Sequence, residues 1–321
     1  MTATSSFPPV TSSNPCWLTF ERIHILNSGR LLLGLAPTAG GRMMFLKSVR
    51  DTGEVLDWLA PVSDRSIAEG FDSRIWPKAG SYPLLPFSNR IRVGRFDWQG
   101  RQITLATPDG LRHPMHGIAH RRPWRLESAT ATVATLDFRY TPEAGEWPWP
   151  FFASQTFTIS ADAVDVLMTL RNDGETRMPA GGGFHPYFRR TSGTRIRFAA
   201  TDHWVIDDDE IATCRVDVVG AADFSSLRAL PGQGLSVYYG GWQRGVQIRR
   251  EDGSCLSMTA DAPLEHLVLH APEESGYFCA EPVTHVSDAV NLSAQGWDRT
   301  GLRVLEPGET LRLKIRIAIQ D

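Results

Sequence analysis

Leu311-Arg312-Leu313-Lys314-Ile315-Arg316-Ile317-Ala318-Ile319 is the stretch that decides the fold. Side chains along a strand point alternately to opposite faces of its sheet. Leu311, Leu313, Ile315, Ile317 and Ile319 therefore share one face, and Arg312, Lys314 and Arg316 the other, as a half-buried antiparallel strand requires. Val164, Val166, Met168 and Leu170 repeat the same period. Short strands are likewise expected over residues 30–35, 132–140, 154–159, 245–249 and 264–270, with turn signals such as Asn172-Asp173-Gly174, Asp252-Gly253 and Pro307-Gly308 between such runs. No long segment has a helical apolar period, and 28 Gly and 21 Pro spread along the chain call for many turns. The expected fold class is all-β, a large antiparallel β-sandwich.

A length of 321 residues would by itself suggest two domains, but large sandwiches are an exception to that rule. There is no linker-like shift in composition and no fixed-period repeat, so a single domain is expected over residues 15–321. Residues 1–14, rich in Ser, Thr and Pro, hold too little apolar side chain to offset the entropy of ordering and are expected to form a loose tail. Hydrophobic residues make up 42% and charged residues 21%, ordinary values for a folded globular chain. A net charge of −3 provides no field to hold nucleic acid or an anionic membrane, so a small-molecule partner is expected. No apolar run approaches the roughly 18 residues that span a bilayer and no signal-peptide pattern opens the chain, which points to the cytoplasm. Cys16, Cys214, Cys255 and Cys279 lack CxxC spacing, so neither zinc nor a disulfide framework is indicated.

Four stretches look unlike core packing. In Tyr82-Pro83-Leu84-Leu85-Pro86-Phe87-Ser88-Asn89-Arg90-Ile91, the prolines disfavour a central strand and should present Asn89 and Arg90 from a loop or edge. Asn both donates and accepts and Arg offers a fork of donors, a combination suited to a polyhydroxyl ligand; an Arg on a structural turn would look the same. In His113-Pro114-Met115-His116-Gly117-Ile118-Ala119-His120, Pro114 and Gly117 spoil a helical display of the three histidines, and no acidic or Cys ligand lies near in sequence, so no metal is expected. His116 beside Gly117, where a ligand can approach the backbone, is the candidate; His113 and His120 are expected to be surface or structural. Gly181-Gly182-Gly183-Phe184-His185-Pro186-Tyr187-Phe188 sets one imidazole among small and aromatic residues, as a proton-transfer pocket or a core histidine would. Tyr277-Phe278-Cys279-Ala280-Glu281-Pro282 puts a carboxylate in an apolar stretch, where Glu is tolerated only with a partner or a function, unless it lies on an exposed edge. Asp207-Asp208-Asp209-Glu210 reads as a solvated turn, and Trp147-Pro148-Trp149-Pro150 as either a sugar platform or rigid packing.

In this order the four stretches resemble the galactose mutarotase/aldose 1-epimerase family, over nearly the whole chain from about residue 16 to 319. Asn89-Arg90-Ile91, His116-Gly117, His185-Pro186-Tyr187-Phe188 and Glu281-Pro282 fall on its motifs. The resemblance implies a galactose mutarotase-like super-sandwich, a monosaccharide as substrate and no cofactor. It implies Glu281 as base, His185 as acid, and His116, Asn89 and Arg90 as residues that hold the sugar. The family's late Leu-Asp-x-x-Phe-x-Gly-Trp segment falls on Leu235-Ser236-Val237-Tyr238-Tyr239-Gly240-Gly241-Trp242, so Ser236 stands where the family has a sugar-binding acid, unless Asp208 or Asp223 reaches the groove instead.

One base and one acid suffice to open a cyclic hemiacetal: the anomeric hydroxyl loses a proton while the ring oxygen gains one. Ionised Glu281 and protonated His185 would serve as that pair. The implied activity is anomer interconversion of a free aldose by a monomer or homodimer. A hexose-phosphate mutarotase, with Arg121-Arg122 at the groove, and a non-catalytic sugar-binding protein are the alternatives.

Overall fold

The computed structural model describes residues 17–107 and 111–320; the expected tail over residues 1–14 and Cys16 lie outside them. Strands dominate these residues, nearly all paired antiparallel, with two short α-helices at Asp64–Glu69 and Ala289–Ala294. One large sheet has nine strands and the other eleven. The stretch that decided the fold lies mid-way in the nine-stranded sheet as strand Thr310–Gln320, between Ala163–Asn172 and Cys255–Ala260. The two alternating runs face each other in register, Met168 opposite Leu313 and Val166 opposite Ile315. Their apolar faces are at most 8% exposed and enter one core cluster that joins both sheets. Removing such a side chain from water contributes about 1.5–3 kcal/mol each, which is why the alternation fixes the register so firmly.

The eleven-stranded sheet carries the chemistry. Its middle runs Leu235–Gly240, His266–Ala271, Tyr277–Val283, Gly183–Arg189, Ser81–Leu84. One face packs into the intersheet core through Tyr239, Leu267, Leu269, Phe278, Ala280, Phe184 and Phe188. The alternate residues, among them Ser236, Tyr238, His270, Glu281 and His185, turn to the opposite face. Both faces are covered, so these strands read as continuous apolar or mixed runs and not as alternation.

Ser81–Leu84 corrects one expectation. Pro83 sits in an interior strand, opposite Phe184. A proline is tolerated there because the pairing on the strand's other side is a single residue pair, Met43 with Ser81, so little of that edge needs an N–H. Among the described residues no helix is long and apolar enough to cross a membrane.

Candidate active site

Adjacent antiparallel strands bring His185 and Glu281 together. Gly183 pairs with Val283 and Tyr187 with Cys279, so His185 and Glu281 lie mid-way between two registered pairs, facing the groove. His185 Nε2 is 3.3 Å from Glu281 Oε1. The two residues are 6% and 3% exposed, and His185 Nδ1 and Glu281 Oε2 have no hydrogen-bond partner. Unpaired buried polar atoms are costly unless something else meets them, and a groove of about 160 Å³ opens in front of them. The His185 ring stacks on Tyr187 at 4.7 Å and packs against the tilted ring of Tyr82 at 4.6 Å, and the buried Arg42 guanidinium lies 4.6 Å from the Tyr82 ring centroid.

Burial shifts both groups toward their neutral forms. It pushes the Glu281 carboxyl up to about 8, with Lys78 and Arg90 opposing the shift, and it holds the His185 imidazole well below its ordinary value, helped by His116. Burial thus favours a carboxylic acid beside a neutral imidazole over the ionised Glu281 and protonated His185 that ring opening uses. The two descriptions contain the same number of protons and differ by one transfer across the 3.3 Å gap.

His116 and Asn89 both have positive φ, 64° and 57°, and lock onto each other through two hydrogen bonds, one between backbones and one to the imidazole. The His116 N–H donates to the Asn89 carbonyl at 2.9 Å, and the Asn89 N–H donates to His116 Nδ1 at 3.1 Å. With Nδ1 an acceptor, the neutral ring carries its proton on Nε2, which makes His116 a donor. Gly117 is obligatory in this turn: its φ is +70°, and a Cβ would come within 2.1 Å of the Leu85 carbonyl oxygen. Asn89 Oδ1 accepts from the Arg90 N–H at 2.8 Å, and the Arg90 guanidinium is ion-paired with Glu210.

All six residues singled out from the sequence line this groove: Glu281, His185, His116, Asn89, Arg90 and Ser236. Ser236 Oγ lies 2.7 Å from His270 Nδ1 on the neighbouring strand. Asp208 and Asp223 are not among the lining residues; Glu210 is the acid that reaches the groove. The turn that carries it is not simply solvated, since Asp207 bonds Arg92 at 2.6 Å and Asp209 bonds Arg112 at 2.7 Å. His113 and His120 are buried structural residues, His113 accepting from the Val93 N–H at 2.8 Å and His120 stacking on Tyr82 at 5.0 Å. Trp147 and Trp149 are buried in the intersheet core. Arg121 and Arg122 line an adjoining cavity of about 270 Å³, larger than the groove but without an acid–base pair, and Arg122 bonds Glu146 at 2.6 Å.

Lys78, Trp76, Tyr238 and His270 also line the groove and were not picked out from the sequence. Tyr238 and His270 lie two positions from a neighbour that shares their face, a signal that period-two counting from Ser236 and Val268 could have raised; Lys78 and Trp76, on an irregular segment, carried none. His185, Cys279 and Glu281 have ligand atoms within 4.8 Å of one another, a set that could hold a soft cation. The Cys279 thiol is pushed well up by burial and so is protonated at neutral pH.

The chain is similar to proteins of one family in sequence and in fold. A family model described as aldose 1-epimerase matches residues 53–318. The Escherichia coli (strain K12) uncharacterized protein YphB is 27% identical over 283 residues, covering 85% of this chain and 94% of its own. A solved Escherichia coli K12 protein provisionally assigned as an aldose 1-epimerase superposes with a TM-score of 0.80 at 24% identity, covering 93% of this chain and 99% of that one. Galactose 1-epimerase from Lactobacillus acidophilus NCFM superposes with a TM-score of 0.74 at 14% identity, covering 95% and 98%. With residues 53–318, most of the chain, inside the family model and its fold shared by these structures, the chain belongs to the aldose 1-epimerase family.

Proposed function

We propose that this protein interconverts the α and β anomers of a free aldose by acid–base ring opening and closure. Glu281 as carboxylate takes the proton from the anomeric hydroxyl while His185 as imidazolium gives one to the ring oxygen. The C1–O5 bond breaks, the aldehyde turns about C1–C2, and the reverse transfers close the ring on the other face. His116 donates from Nε2 to the ring oxygen, and Asn89 and Arg90 keep the open chain in place during the rotation. The chemistry needs a proton donor and a proton acceptor and no redox step.

The observation that carries this reading is the His185–Glu281 pair, 3.3 Å apart, buried, each with an unpartnered atom. Burial favours the neutral tautomer at rest; a bound sugar, whose hydroxyl and ring oxygen supply new partners, brings the charged tautomer within reach. A sugar-binding module without catalysis would have no use for such a pair. A phosphosugar enzyme needs a cluster of cations in the groove, whereas Arg121 and Arg122 line the neighbouring cavity. Anomer exchange followed by NMR or polarimetry over a panel of free and phosphorylated aldoses tests the proposal. Acceleration confined to phosphorylated sugars, or to none, would refute it.

A further inference from the structure

Cys279 lies beside the acid–base pair and takes no part in ring opening. It precedes Glu281 by two positions on strand Tyr277–Val283, so both side chains leave the same face, and it is wholly buried. Across the strand pair stands His185, on Gly183–Arg189. Cysteine spacing along the chain gave no sign of a metal, yet strand register assembles a ligand set: one ligand atom each of His185, Cys279 and Glu281 lie within 4.8 Å of one another. In a tetrahedral zinc site, bonds of about 2.0–2.3 Å put neighbouring N and O ligands about 3.4 Å apart and a sulfur about 3.6 Å from either. His185 Nε2 and Glu281 Oε1 already stand at 3.3 Å, and the thiol has at most about 1.2 Å to close.

Arg42, Lys78 and Arg90 act on this pair and would oppose an added dication, although Arg90 is offset by Glu210. Binding avoids that cost because it is an exchange. The ion displaces the thiol proton and the single proton that His185 and Glu281 hold between them, and both protons leave to solvent. Thiolate, carboxylate and neutral imidazole then balance the two positive charges, and the net charge of the site is unchanged. Mg2+ and Ca2+ take six or more oxygen ligands and would find one carboxylate here. His185 and Glu281 line the groove, which gives the ion its entry and leaves the fourth coordination position to water. A metal-ligating histidine is normally oriented by a partner on its other ring nitrogen, and loss of such a partner typically costs about 10- to 100-fold in affinity. His185 Nδ1 has no such partner, so the set suits a reversible ligand and not a resident ion.

We infer that His185, Cys279 and Glu281 form an inhibitory site for a borderline-soft divalent cation of the zinc type. The ion occupies the lone pairs through which Glu281 and His185 exchange protons with the sugar, so ring opening stops while it is bound. Binding follows from the geometry of the three ligands; its effect on turnover rests on the mutarotase reading.

The test uses ZnCl2, MgCl2 and CoCl2 on the wild type, Cys279→Ala and Cys279→Ser. Co2+ occupies the same kind of site as Zn2+ and reports a thiolate ligand by a near-ultraviolet charge-transfer band. The wild type should show that band, saturating at one ion per chain, and Cys279→Ala should lack it. In anomer exchange, Zn2+ should inhibit the wild type, EDTA should restore the rate, and Mg2+ should have no effect. Cys279→Ala should keep the metal-free rate within about two-fold and need roughly 10-fold more Zn2+, or above, for half inhibition. Cys279→Ser, nearly isosteric but without the soft ligand, should behave in the same way and serves if the alanine variant fails to fold. No charge-transfer band in the wild type, a band that persists without Cys279, or equal zinc sensitivity of wild type and variant overturns the inference and leaves the mutarotase reading standing. A protein that accelerates no sugar refutes the mutarotase reading and the inhibition with it, while the cobalt band still decides whether the ion binds.

Discussion

Replacing Glu281 by Gln should make the protein more stable, by an amount that grows with pH. Burial raises the Glu281 carboxyl from 4.5 to about 8 in the folded chain, so between those values the unfolded chain has released a proton that the folded chain still holds. The favourable contribution of the protonated carboxyl is complete below about pH 4.5 and is lost progressively as pH rises to about 8. At about 1.36 kcal/mol per pH unit, the cost to the wild type is roughly 3 kcal/mol at pH 7 and negligible near pH 4.5. Gln has the same shape and never ionises, so it escapes this cost while leaving the same buried atoms unpaired. For a chain of this length about 2 °C per kcal/mol is expected, hence a Tm gain of about 1 °C at pH 5 and roughly 6 °C at pH 7. Thermal melts of both proteins at pH 5, 6, 7 and 8 measure it. A gain independent of pH, or a Gln variant less stable at pH 8, would refute the claim that the buried carboxyl is the strained group.

The same pair should set a bell-shaped pH dependence of kcat/KM. Activity falls above about pH 8, where the pair loses its transferable proton, and again at acid pH, where His185 and Glu281 are both protonated. His185→Gln should cost about 100- to 10,000-fold in rate and abolish the alkaline limb; an unchanged profile would assign the acid to another group. Ser236→Asp adds a charged acceptor beside His270 and should raise kcat/KM on galactose or glucose relative to wild type, read from parallel progress curves; unchanged specificity would mean that Ser236 does not meet the sugar. Gly117→Ala places a methyl 2.1 Å from the Leu85 carbonyl at a φ of +70°, and should lower stability in urea by roughly 1–3 kcal/mol while loosening His116; a neutral effect would contradict the turn geometry.

The nine-stranded sheet was legible because its central strands have one apolar face: Leu311 to Ile319 and Val164 to Leu170 needed only counting in twos. The eleven-stranded sheet was harder. Both its faces are covered, so Leu267, Val268 and Leu269 read as an unbroken apolar run, and Pro83 argued against a strand that its sparse pairing in fact permits. At the site, His185 and Glu281 stood out because each is a titratable group in apolar surroundings. Their proton distribution did not, since it depends on how deeply the fold buries them. Glu210 and His270 were missed because what matters about them is the partner across the groove, Arg90 and Ser236, at distances of 120 and 34 residues along the chain.

The central claim is that the buried pair opens and closes a sugar ring, and NMR exchange spectroscopy on an equilibrated aldose measures that step directly. Wild-type protein should accelerate α–β exchange well beyond the spontaneous rate, and Glu281→Gln should reduce the catalysed rate about 100- to 10,000-fold while sugar binding remains measurable. Absence of acceleration across free aldoses, or a Gln variant retaining more than roughly a third of wild-type turnover, would contradict the account.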